Sequence, residues 1–203
     1  LDEFLTWDYH VKHVRGKVAG AVYALSKLRN LLPKHLKYTV YNSLFRSFIE
    51  FGMTVWGRSR SGDIKRICTL QKKAVRYIEN SKYNSHAGPI FTKFNILKFH
   101  DLVNLNQACF MYKFINNKLP LSFQNFFQKL NNFDRSQSLH LTLLKRSNLQ
   151  YFPSYAIPRL WNSLSLDLKR KGSLNTFKKY YAKYLSQGYS TPCTVANCYS
   201  CRK

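Results

Sequence analysis

The first fifty residues repeat apolar side chains at three- and four-residue steps on both sides of one proline, and that pattern leaves few folds open. Val11, Val14, Val18, Val22, Leu25 and Leu28 recur behind Thr6, a residue suited to cap a helix that opens at Trp7 and runs to about Leu32. Pro33 suits the first turn of a second helix, where its missing N–H costs nothing. Leu36, Val40, Leu44, Phe48 and Phe51 make the second stripe, up to Gly52. Two long helices joined this tightly pack as antiparallel neighbours with their stripes facing, so a helical hairpin is expected. Gly16 and Gly20, a G-x-x-x-G inside the first helix, point to a close helix crossing, because Gly lets backbones approach.

The next stretch, Trp56-Gly-Arg-Ser-Arg-Ser-Gly62, is rich in turn formers and carries Arg58 and Arg60. Asp63 can then open a third helix to about Glu79. At 100° per residue Ile64, Ile67, Cys68, Leu70, Ala74, Val75 and Ile78 share one arc, and Lys65, Arg66, Lys72, Lys73 and Arg76 fall on the opposite one. A charged arc is usually a solvated face. Five cations with no acid among them also suit a surface that meets phosphates, and both readings stay open.

Residues 80–88 are polar and without period, which places a boundary there. Leu102, Leu105, Cys109, Tyr112 and Ile115 then mark another helix, stopped by Leu119-Pro120. Phe123, Phe126, Phe127 and Leu130 suggest a short one. The period drops to two over Leu139–Leu143, as in a strand, and Tyr151–Pro158 reads as extended chain. Trp161, between Leu160 and Leu164, reads as a buried anchor. Phe177, Tyr180, Tyr181, Tyr184 and Leu185 make a last helix studded with Lys178, Lys179 and Lys183. The expected fold is mainly α: a helical bundle over 1–80, a mostly helical region over 86–190 with one or two short strands, and a Cys-rich tail over 191–203.

Charge narrows the function. Lys and Arg number 33 against 9 Asp and Glu, a formal net charge of +24. Self-repulsion on that scale is relieved by a polyanion, so nucleic acid is the leading partner. The nine acids are scattered, which disfavours chemistry that needs converging carboxylates, such as two-metal phosphoryl transfer or glycoside hydrolysis. No Gly-rich phosphate loop, G-x-S-x-G elbow or H-E-x-x-H pair occurs. No uncharged apolar run approaches the roughly 20 residues of a membrane-spanning helix. An odd count of five Cys does not resemble a secreted disulfide framework, and an intracellular, reducing compartment fits better. The chain opens on Leu1 with no secretion signal behind it, as a piece of a longer protein would.

Cys193-x4-Cys198-x2-Cys201 has a spacing at which thiolates can share one zinc ion, yet a closed structural site uses four ligands and only three are present. Three loose thiols remain the other reading. Cys68 and Cys109 lie on apolar arcs as core thiols. His10 and His13, one turn apart, have a metal-compatible spacing that surface histidines commonly share.

Several landmarks now stand in a recognisable order: L-T-W-x-x-H-V at Leu5–Val11, K-L-R at Lys27–Arg29, L-P at Leu32-Pro33, and Y-N-S-L at Tyr41–Leu44. V-W-G at Val55–Gly57, L-Q-K-K-A-V-R at Leu70–Arg76 and G-P-I-F at Gly88–Phe91 follow, then R-L-W-N-S-L at Arg159–Leu164 and S-L-N-T-F-K-K at Ser173–Lys179. The order resembles the region after the polymerase core in non-LTR retrotransposon reverse transcriptases of the jockey or LINE kind. That resemblance implies a thumb-like bundle over 1–80 that grips an RNA–DNA template–primer duplex, and a C-terminal region that helps hold element RNA. The Y-x-D-D of the palm is absent, as are fingers, palm and endonuclease; catalytic magnesium would belong to the palm, and the missing fingers and palm of the same polyprotein would be partners. The implied contacts run through Arg58, Arg60, Lys65, Arg66, Lys72, Lys73 and Arg76, in a nuclear or cytoplasmic setting. The alternatives are a non-catalytic helical adaptor for an acidic protein and a degenerate element copy.

Overall fold

The computed structural model describes residues 6–123, 127 and 152–189. These form two compact units, one reaching Phe99 and taking in residues 185–189, the other spanning residues 100–184. Helices dominate and no strand occurs among the described residues, so the protein is mainly α. The strand expected at Leu139–Leu143 lies outside them, as do Phe126, Leu130 and the cysteines of the tail.

In the first unit α1 (Asp8–Lys27) buries Val11, Val14, Val18, Val22 and Leu25 as the periodicity requires. Its ends differ from expectation. Trp7 takes a left-handed φ of 62°, leaving Thr6 one step outside, where its Oγ1 accepts the Asp8 N–H at 3.4 Å. The helix stops at Lys27 rather than Leu32, and the turn that follows carries Arg29 to the end of α5 (Asp63–Glu79), where its Nη2 donates to the carbonyls of Asn80 (3.0 Å) and Ser81 (2.9 Å). Arg15 bridges to Asp63 at the other end (3.0 Å), so α1 and α5 run side by side in one direction. Gly16 and Gly20 face open space, and the expected close crossing is absent there.

The returning arm of the hairpin is α2 (Lys34–Val40), a π-helical segment (Tyr41–Arg46) and α3 (Ser47–Glu50). Its buried column is Lys37, Tyr41, Phe45 and Ile49, each at most 1 % exposed. The expected stripe is displaced by one residue: Leu36, Leu44, Phe48 and Phe51 are exposed. Lys37, Tyr41, Phe45 and Ile49 step by four, as do Leu36, Val40, Leu44 and Phe48. Such steps overshoot an α-turn of about 3.6 residues and drift round the helix. The wider i→i+5 turns of the π segment cancel that drift and hold one column on the core. The polar ends of the chosen column settle which: the Lys37 Nζ donates to the Arg29 carbonyl (2.9 Å) and Asn80 Oδ1 (2.5 Å), and the Tyr41 hydroxyl accepts from Gln71 Nε2 (3.0 Å).

Gly52, at φ 61°, allows the sharp turn into α4 (Met53–Trp56). The unit does not end at the polar stretch 80–88. The buried Gln71 amide also donates to the Leu97 carbonyl (2.9 Å) and its Oε1 accepts the Phe99 N–H (2.8 Å). Beyond α6 (Gly88–Lys93), Tyr189 returns: its hydroxyl accepts the Lys98 N–H (3.0 Å) and its ring meets Phe91 edge-on. A Cβ on Gly88 would lie 2.5 Å from the Tyr189 carbonyl oxygen, so only glycine admits that approach.

Among the described residues the second unit contains α7 (Phe99–Ile115), α8 (Pro153–Asn162), α9 (Leu166–Lys169) and α10 (Leu174–Ser186), with a 3-10 turn at Leu121–Phe123. Its centre is aromatic. Tyr112 stacks on Phe177 at 5.0 Å and Trp161, wholly buried, lies 5.9 Å from the same ring. The segment expected to be extended, Tyr151–Pro158, is instead helical from Pro153. Proline at a first helical turn is already set for the helix. Pro158 inside α8 removes a backbone bond, at a cost of about 3 kcal/mol, which the burial of Ile157, Pro158 and Trp161 offsets.

Candidate nucleic-acid interface

The arc of α5 opposite its core face carries the cations singled out in the sequence, and the fold divides them. Lys65, Arg66 and Lys73 are exposed, as is Arg60 in the preceding loop, while Arg58 is half-buried. Lys72 and Arg76 turn inward, at 9 % and 4 % exposure. The cause is the stretch after the helix. Asn80 closes α5 in a left-handed conformation, φ 63°, and Ser85 presents its carbonyl to Arg76 Nε at 2.8 Å. Burial lowers the pKa of the Arg76 guanidinium from its ordinary value. Arg76 is thus turned toward residues 80–88 rather than to the surface, and Lys72 is likewise not among the exposed cations.

What the sequence missed lies on α1. Its outward face carries Lys12, Lys17 and Lys27, with Lys27 Nζ 5.4 Å from the Tyr23 ring centroid. A sequence signal for it exists, since no acid follows Asp8 on this helix, though its cations are sparser than those of α5. Where α1 and α5 begin, Asp8, Tyr9, Lys12, Ser61, Asp63 and Arg66 line an open cleft of about 460 Å³.

Three carboxylates of this unit are engaged by cations, and Asp8 at the start of α1 is exposed. Asp63 takes both Arg15 and Arg66, Glu79 takes both Lys34 and Lys93, and Glu50 takes Arg46. Burial opposes charge on Glu79, yet the hydrogen bonds from Lys34 and Lys93 outweigh it and hold its pKa below the ordinary value. Acids placed this way brace the scaffold and leave the surplus positive charge of the surface in place.

Burial pushes the thiols of Cys68 and Cys109 up to about 11, so both are protonated at neutral pH. His10 lies edge-on to Trp7 (5.9 Å) and Trp56 (5.4 Å); burial, then the charge of His13, lowers its pKa. Among the described residues no group of three or more His, Cys, Asp or Glu side chains comes together, and no helix is long and apolar enough to cross a membrane. Cys193, Cys198 and Cys201 lie outside the described residues. No protein-family model, curated protein or solved structure matches the chain.

Proposed function

We propose that the chain is the nucleic-acid-binding part of a retroelement RNA-directed DNA polymerase, and that its first unit grips a template–primer duplex through the phosphates. The observation that carries this reading is the pair of parallel, adjacent helices that expose Lys12, Lys17 and Lys27 from α1 and Lys65, Arg66 and Lys73 from α5, with Asp63 between them already engaged by Arg15 and Arg66. The family assignment rests on the order of sequence landmarks. The mechanism is electrostatic positioning: each cation that neutralises a phosphate releases condensed counterions, which favours binding without reading bases. Such a part works inside the cell, in nucleus or cytoplasm, alongside the fingers and palm of the same polyprotein. A zinc site in the tail would rest on Cys193, Cys198 and Cys201 with a further ligand.

One observation favours the adaptor reading. Leu36, Leu44, Phe48 and Phe51 form an exposed column without charge, which suits a polypeptide partner and no phosphate. Fluorescence anisotropy with an RNA–DNA hybrid and with an acidic peptide, each over a salt series, separates the two. Replacing Lys65, Arg66 and Lys73 with Ala is expected to flatten the salt slope for the hybrid by roughly two to three units. Replacing Lys72 and Arg76 is expected to change stability rather than slope. An unaltered slope in the first variant would remove α5 from the interface.

A further inference from the structure

The outer side of the hairpin's returning arm combines apolar exposure with an absence of free charge. Leu36, Val40, Leu44 and Phe48 form one lengthwise row, and Thr39, Ser43, Ser47 and Phe51 form the next, about 100° round the helix. The π segment keeps both rows straight, and all eight residues are exposed except Val40, which is half-buried. The hydroxyls spend their protons inside the arm: Thr39 donates to the His35 carbonyl (3.2 Å), Ser43 to that of Thr39 (3.0 Å) and Ser47 to that of Ser43. The arm's cations are committed as well. Lys34 bonds Glu79 at 2.8 Å, Arg46 bonds Glu50 at 2.9 Å, and Lys37 is buried on its backbone and Asn80 partners. In a chain with 33 Lys and Arg, a helix face that shows water leucine and phenylalanine and no free Lys or Arg marks an interaction surface.

Phosphates have nothing to meet on this face, and an acidic peptide would find no free Lys or Arg there. A second copy of the same face fits it in size and in charge. Turned end for end about a two-fold axis beside Ser43, the arm meets itself row against row. The hydroxyl row then faces its own copy, with Thr39 opposite Ser47, and side chains this small let two helices approach closely. In the bulky row Phe48 of one copy falls between Leu36 and Val40 of the other, so the large side chain meets the smaller ones. At each end Lys34 and His35 of one copy come beside Glu50 of the other, which matches opposite charges.

We propose that the chain forms a two-fold, antiparallel homodimer through the outer face of residues 35–51, with Ser43 beside the axis. The proposal stands apart from the nucleic-acid reading, and it gives the apolar column, which otherwise favours an adaptor, an occupant of a different kind. A face one helix wide lies at the small end of protein interfaces, so the dimer is weak, with a dissociation constant on the order of 50 µM. Each copy carries a net charge of +24, and repulsion over the rest of the surface opposes pairing until salt screens it. Pairing therefore strengthens with salt, the reverse of binding to phosphates.

The test is sedimentation equilibrium of the full chain from about 5 to 500 µM, which should show monomer and dimer in exchange, with the dissociation constant falling several-fold between about 50 and 300 mM salt. Leu44→Ser/Phe48→Ser strips apolar contact from both copies at once and is expected to raise the dissociation constant by about tenfold or more. Should that variant melt well below the parent, Ser43→Cys decides the matter. Its exposed position carries no packing, and mild oxidation is expected to join two copies through the new thiols, as read by peptide mapping. A monomer at every concentration and salt overturns the proposal. So does a dimer that the serine pair leaves intact, or a dimer in which the thiols introduced at position 43 do not link to each other. Binding of an acidic peptide or of phosphatidylcholine vesicles that the serine pair abolishes, without self-association of the parent, would give the face to that partner and overturn the proposal as well.

Discussion

At the scale of single residues, the side chains that organise the first unit are polar ones in apolar company. Gln71, 1 % exposed, joins the π segment, α5 and the approach to α7 through three hydrogen bonds. Gln71→Leu would leave the Leu97 carbonyl and the Phe99 N–H without that partner and unlink the Tyr41 hydroxyl. With roughly 1–3 kcal/mol for each buried group that loses its bond, a loss of about 3 kcal/mol or more in urea unfolding is expected. Glu79 makes the pH-dependent counterpart. Its folded pKa lies below the unfolded value, so its contribution is present above the ordinary glutamate range and fades as pH falls through the folded value. The stability gap between parent and Glu79→Gln should be full at neutral pH and close below about pH 4.3, measured by denaturant unfolding along a pH series. None of this was legible beforehand. A sequence shows that Gln71 stands on an apolar arc, but not that a carbonyl twenty-six residues on will need its amide.

At the scale of elements, α1 and α5 were readable because valine, isoleucine and leucine there mark a single face. The helix between them was not, since two columns of equal spacing compete: Leu36, Leu44 and Phe48 against Lys37, Tyr41, Phe45 and Ile49. Apolarity alone favours the first column, because Lys37 counts against the second. Only the partners at Arg29 and Asn80, brought in by other elements, make an inward lysine acceptable. α8 was hidden for another reason, as Pro158 argues against a helix interior by local rule and is overridden by packing around Trp161. The displaced column gives a clean comparison. Phe45→Ala should cost about 3–5 kcal/mol. Leu44→Ser and Phe51→Ser, on the exposed column, should stay within about 0.5 kcal/mol. Equal losses on the two columns would restore the original stripe.

At the scale of the whole molecule, the helical class and the basic character were both legible, because periodicity and charge are properties of a sequence that no tertiary contact reverses. The division into units was not. Residues 80–88 look like a linker, yet the first unit continues to Phe99 and takes back Tyr189, which meets the Lys98 N–H across 91 residues of chain. The cations of α5 and α1 are legible in the sequence, but not which of them the fold buries, because Lys72 and Arg76 turn inward only once residues 80–88 are in place. The surplus of 24 positive charges then yields a prediction about stability that needs no knowledge of the contacts. In a chain of one dominant sign, like charges repel within each folded unit, and added salt screens that repulsion. The melting temperature of the free protein should therefore rise with salt through the moderate range. A bound polyanion reverses the sign. With saturating RNA–DNA hybrid the folded state gains stability by mass action, most at low salt, where binding is tightest, and each increment of salt then weakens binding and lowers the melting temperature. Scanning fluorimetry over a salt series, with and without hybrid, should give two trends of opposite slope that converge at high salt. Parallel trends would mean that the hybrid does not bind the folded protein, and a flat trend for the free chain would mean that its cations lie too far apart to repel.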